Sequence, residues 1–168
     1  LYGLSFREYL ALKGHGSFPV YPLGEILDSH QAIVEEVLDR VKPLKYFADY
    51  LRKGYYPFFL EGEETYERRL EEAVLMLLEV EIPQLRHIEI GNIMKLKKLL
   101  RLVAESVPFK PNTSRMSERL DLNRHTLLGY LHYLTEAKLI ISLYSSSKGI
   151  KSLEKKKKIY MENSNLMY

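Results

Sequence analysis

The stretch NTSRMSERLDLNRHTLLGYLHYLTEAKLII, Asn112 to Ile141, carries side chains whose chemistry suits a nucleic-acid groove. Leu127, Tyr130, Leu131 and Leu134 repeat at helical spacing. If they turn inward, Arg124, His125, Gly129, His132 and Tyr133 are left on the outer face, where a recognition helix reads DNA. Asn123, Arg124, His125 and Tyr133 are the expected contacts from this helix. Further along, Lys148, Lys151, Lys155, Lys156 and Lys157 are expected to reach phosphates. A lysine run also reads as a solvated surface that blunts a strand edge, and the sequence leaves both open. Other chemistries find less support. His125 and His132 stand seven apart on one helical face, but no third ligand has a suitable spacing, so no metal site is expected. The acids from Glu61 to Glu72 suggest paired catalytic carboxylates, yet a run of this kind is the usual solvated face of a helix. No GxxxxGK[ST] run occurs, Gly54, Gly62 and Gly91 stand alone, and no serine sits in a nucleophile elbow. No catalytic or cofactor-binding residue is assigned, and the chain alone is not expected to be an enzyme.

These side chains need a particular set of elements behind them. Met116 and Leu120 lie four apart on a short helix, Asp121 to Asn123 forms a polar break, and Asn123 is a suitable N-cap for the helix that follows. After Leu139 the period changes from helical to two. Ile141 and Leu143 alternate with Ser142 and Tyr144, an SSSKG turn follows, and Ile159 and Met161 alternate with Tyr160 and Glu162, which predicts a hairpin wing. Upstream, Asn92 is expected to cap a helix whose Ile93, Leu96, Leu100, Val103 and Val107 turn inward and whose Lys95, Lys97, Lys98 and Arg101 turn out, ended by Pro108 and Pro111. That basic face serves either phosphates or solvent.

The earlier part of the chain reads as further helices. Leu4 to Lys13 suits a short helix stopped by Gly14. Asp28, with Gln31 three residues on, predicts the start of another, striped by Ile33, Val34, Val37, Leu38 and Val41, which must pack on something. Pro43 breaks it, and Leu44, Phe47, Ala48 and Leu51 carry the next helix to Gly54. The run YYPFFL, Tyr55 to Leu60, resembles a base-stacking platform, but the expected role is a hydrophobic clasp between helices. A long helix is expected from Glu63 to about Glu79, with Glu64 and Arg68 paired across one turn, and Pro83 argues against a strand in Ile82 to Ile90.

At 168 residues and 46% hydrophobic, the chain suits one ordinary domain or two small ones. It has no cysteine, which rules out disulfides and fits a cytoplasmic protein, and no apolar run approaches the roughly 20 residues of a membrane span. The opening at Leu1, without signal-peptide features, suggests a piece of a longer polypeptide. The formal charge of +3 hides an asymmetry. Ten basic residues face sixteen acidic ones through Ile90, a net −6, whereas fifteen face six from Gly91 onward, a net +9. A basic half carrying a helix-turn-helix points to double-stranded DNA as partner.

Several phrases together carry a resemblance: LSFREYL from Leu4, YLRKGYYPFFLEGEETYERRL from Tyr50, EIPQ from Glu81 and the closing KIYMENSNLMY. They resemble archaeal and bacterial P-loop ATPases of the AAA+ class that carry a C-terminal domain of unknown function. The resemblance implies a nucleotide-binding domain, a helical lid, a winged helix and a further α/β domain, of which this chain would hold the middle parts. ATP and magnesium would then belong to the missing nucleotide-binding domain. The expected architecture is mainly α: a helical lid-like bundle over residues 1–90, then a winged helix-turn-helix with a β-hairpin wing over residues 91–168. The expected function is a DNA-binding or DNA-sensing module of that ATPase. The alternative is a winged helix packing against its own ATPase domain, a partner protein or a second copy.

Overall fold

A computed structural model describes residues 2–106, 112–144 and 156–167. Val107, Pro108 and Pro111, and the SSSKG turn, lie outside the described residues. Among the described residues the protein is mainly helical with a two-stranded antiparallel hairpin, as the periodicities predict. It divides into two compact units, residues 2–66 and residues 67 onward. The division falls earlier than Ile90 because Val74, Leu77, Leu78, Ile82 and Ile88 pack into the same core as the helix-turn-helix.

The first unit holds α1 (Phe6–Leu12), α2 (Leu23–Arg40) and α3 (Pro43–Lys53), followed by a 3-10 turn at Pro57–Leu60. Ser5 and Glu8 form a reciprocal capping box at the start of α1, and Gly14 takes the left-handed φ of 84° just past its end. The unit is held by rings: Tyr9 packs edge-on to Phe59 at 5.1 Å, and Phe6 lies 5.2 Å from both Phe47 and Tyr50. Gly54 is required by close approach, since a Cβ there would lie 2.5 Å from Tyr50 Cα and 2.9 Å from the Tyr9 ring. Tyr56, Phe59 and Tyr66 are buried, so YYPFFL is the expected clasp. The helical run begins earlier than the expected cap at Asp28, after the extended Pro22, but it is broken beside Asp28 at Ser29, φ −129°, and the segment carrying the expected stripe follows that break. Its apolar stripe is also largely uncovered, with no residue of α2 buried.

The second unit takes over with α4 (Tyr66–Met76), a π-helical turn (Leu77–Glu81) and α5 (Ile82–Arg86). The expected helix from Glu63 is shorter at its start, so Glu64 precedes it and Arg68 pairs instead with Glu72 at 2.8 Å. Pro83 supplies a reason for the π turn. It offers no N–H, and its ring crowds the carbonyl four residues back, so the helix widens and the Ile82 N–H reaches the Leu77 carbonyl. His87, left-handed at φ 51°, stops α5.

Three helices follow: α6 (Ile90–Ala104), α7 (Thr113–Leu120) and α8 (Arg124–Glu136), then β1 (Ile140–Tyr144) and β2 (Lys156–Met161). The cap of α6 is Glu89, not Asn92, whose N–H bonds the Glu89 carbonyl at 2.8 Å inside the first turn. Leu96, Leu99, Val103, Leu127, Leu131, Leu134, Ile140 and Ile159 are fully buried in one core. The hairpin register pairs Ile140 with Met161 and Ser142 with Ile159. Ile141 and Leu143 therefore turn outward, while Ile140 is buried, the opposite phase for β1 from the one the alternation suggested. In β2, Ile159 and Met161 are buried as expected.

Candidate nucleic-acid interface

The turn between α7 and α8 is built by short-range bonds. Asn112 Oδ1 accepts from the Arg115 N–H at 3.1 Å and starts α7. Asp121, left-handed at φ 51°, ends it, and the Leu122 N–H returns to the Ser117 carbonyl at 2.9 Å. Asn123 Oδ1 then accepts from the Thr126 N–H at 2.8 Å, the N-cap expected from its position. From α6, Lys95 reaches over and donates to the Asp121 carbonyl at 2.5 Å and its carboxylate at 3.0 Å. In place of the outward position expected for phosphates or solvent, Lys95 ties the first helix of the trio to the turn.

Leu127, Tyr130, Leu131 and Leu134 are buried, which leaves Asn123, Arg124, His125 and His132 exposed along α8. Burial pushes the Tyr130 hydroxyl above its ordinary range and keeps it neutral. Tyr133 does not share the outer face and corrects the expectation there. It is half-buried against the core, with the Arg86 guanidinium 5.1 Å over its ring. A cleft of about 310 Å³ opens beside them, lined also by Leu77, Leu85 and Glu136. Arg86 carried no signal in the sequence, because α5 and α8 are brought together only by folding. The wing lysines fall in two groups. Lys156 and Lys157 lie on β2, while Lys148, Lys151 and Lys155 lie outside the described residues.

The other basic groups of this unit divide by partner. Lys97 bonds Glu79 at 2.6 Å and Arg101 bonds Glu105 at 2.7 Å. Arg115, Arg119 and Lys98 are exposed. A cleft of about 300 Å³ between α6 and α7 brings Lys98, Arg101 and Arg119 to one place. Lys98 and Arg101 turn outward as their positions predict, and Arg115 and Arg119 are a further exposed basic pair, for which the helical spacing of the buried Met116 and Leu120 beside them is the sequence signal. Among the described residues, no three His, Asp or Glu side chains are arranged to hold a metal ion, and no helix is long and apolar enough to cross a membrane.

A mainly α chain with a helix-turn-helix followed directly by a hairpin is the class that these elements define. The chain belongs to the family described as a domain of unknown function, DUF8612, whose model matches residues 44–168. It is similar to an uncharacterized protein of Methanocaldococcus jannaschii, 23% identical over 164 residues, which cover 95% of this chain and 34% of the relative. The chain thus spans about a third of the length of that curated relative. No solved structure matches it.

Proposed function

We propose that the second unit is a winged helix that binds double-stranded DNA, within a longer P-loop ATPase of the AAA+ class. The observation that carries this reading is the first turn of α8: Asn123, Arg124 and His125 are exposed together at the end of a capped helix that follows a tight turn. Arg115 and Arg119, exposed on α7, add positive charge. Tyr133 is removed from the expected contacts, since its ring is engaged by Arg86. A cytoplasmic location goes with this reading, because an archaeal or bacterial protein meets its DNA there.

ATP and magnesium enter only through the remainder of that longer protein. Gly54 is packed against Tyr9 and Tyr50, Gly62 against Glu64, and Gly91 lies in the first turn of α6. Among the described residues, no strand leads into a glycine-rich loop and helix. No catalytic step is assigned to this chain.

The cleft beside Tyr133 favours a second reading, in which this flank of α8 receives a partner protein or a neighbouring domain. Fluorescence anisotropy with a labelled duplex separates the two. Under the DNA reading, Arg124→Ala weakens binding by about 1 to 3 kcal/mol and Tyr133→Ala leaves it nearly unchanged. Absence of binding at low salt, or equal affinity for wild type and Arg124→Ala, overturns it.

A further inference from the structure

Helix α2 is eighteen residues long and buries none of them. Its uncovered apolar side chains are ordered. Leu23 and Leu27, before the Ser29 kink, are 72% and 68% exposed; Val34 and Leu38, after it, are 49% and 52% exposed. Each pair is four residues apart, the spacing that lines one face of a helix. Ile33 and Val37 are half-buried, so Val34 and Leu38 form a separate, open apolar edge of the segment after the kink, as Leu23 and Leu27 do of the segment before it. Beside it run acids: Glu35 and Asp39 each follow one residue after Val34 and Leu38, and Asp28 follows Leu27. In all, α2 carries Glu25, Asp28, Glu35, Glu36 and Asp39 against Arg40 alone, a net −4, and Arg40 is bound to Glu36 at 2.8 Å. Lys42 and Lys45 lie beyond the helix end.

The sign of the flanks selects the occupant. Helices that lie on membranes carry Lys and Arg on the polar face, the reverse of this one, and anionic lipid would repel it. Packing α2 on α2 of a second copy would set −4 against −4 along the seam. A helix with leucine-like residues at the same spacing and basic flanks meets both the stripe and the acids. We propose that α2 docks a basic amphipathic helix supplied by another polypeptide, with Val34 and Leu38 after the Ser29 kink as the apolar seam, Glu35 and Asp39 as its charged rim, and Leu23, Leu27 and Asp28 extending the contact on the segment before the kink.

The probe is a fluorescein-labelled leucine–lysine peptide with helical periodicity, titrated with the whole chain by anisotropy. A scrambled peptide of the same composition is the control. Saturable binding of the periodic peptide over the scrambled one is expected. The double change Leu27→Ser with Leu38→Ser, and separately Glu35→Lys with Asp39→Lys, should each weaken it about tenfold or more. All four positions are exposed, so circular dichroism should show the fold retained. The proposal is overturned by equal binding of the scrambled peptide or by affinity indifferent to both double variants. It is also overturned if Leu27→Ser with Leu38→Ser abolishes self-association in sedimentation velocity or binding to anionic vesicles.

Discussion

Asn123 is asked to serve twice with one side chain. Its Oδ1 is committed to the Thr126 N–H at 2.8 Å, so only the amide Nδ2 is left to donate to DNA. Asn123→Ala should cost about 1 kcal/mol of stability, read as a lower thermal midpoint. Asn123→Asp keeps the acceptor but brings a negative charge to the phosphates, so stability should hold while duplex affinity falls. Loss of stability in the aspartate variant would deny the capping account. In the first unit, the hydrogen bond from Lys13 lowers the Glu63 carboxyl and raises the lysine. A lowered acid contributes stability above its ordinary range and loses it as pH falls through the lowered value. A raised lysine contributes below its ordinary range and loses it as pH rises through the raised value. The stability difference between wild type and Glu63→Gln should therefore be flat near neutrality and disappear at both extremes. Its plateau should stay below about 1 kcal/mol, because Glu63 is largely exposed. Urea unfolding of both proteins across pH checks this, and a difference that persists in acid contradicts it.

Helix–helix packing explains why some elements are legible in the sequence. Leu131 is fully buried among α6, α7 and β2 residues, and Leu131→Ala should destabilise by about 2 to 5 kcal/mol. Hydrogen exchange should then quicken through α6 to β2 and also in Leu77–Glu81, whose Leu77 and Leu78 join the same core, while α1 and α3 keep their protection. Uniform loss across all helices would contradict two separate cores. The helix-turn-helix could be read from the chain because its buried leucines keep one period and its caps are local in sequence. The start of α2 could not: Leu23, Ile26 and Leu27 are exposed, so burial wrote no boundary there, while Asp28 and Gln31 imitate a capping box at a kink. The phase of β1 does not show in the sequence, because Ile140, Ile141 and Leu143 are all apolar and only pairing with Ile159 and Met161 chooses the inner face. Arg86 over Tyr133 joins residues far apart in sequence and left no trace in spacing.

Across the whole molecule, the acidic residues collect before Gly91 and the basic ones after it. Cut where the two units divide, residues 67 onward carry eighteen basic and twelve acidic residues, a net +6, against seven and ten before them, a net −3, so the unit that bears the helix-turn-helix is the one with the charge to attract a polyanion. Binding driven by that charge must weaken with salt, because each phosphate neutralised releases condensed counterions. Removing a phosphate contact lowers the slope of log affinity against log salt by about 0.9. The charge run was visible in the sequence, whereas the exposure of Arg115, Arg119 and Arg124 together became apparent only from the helices that carry them. The most direct test is anisotropy on a random duplex across a range of salt concentrations, wild type beside the triple variant Lys155→Ala, Lys156→Ala and Lys157→Ala. DNA binding by this unit predicts clear affinity at low salt, a steep loss with salt, and a slope flatter by up to about 3 in the triple variant. No binding at low salt, or two identical slopes, would contradict it.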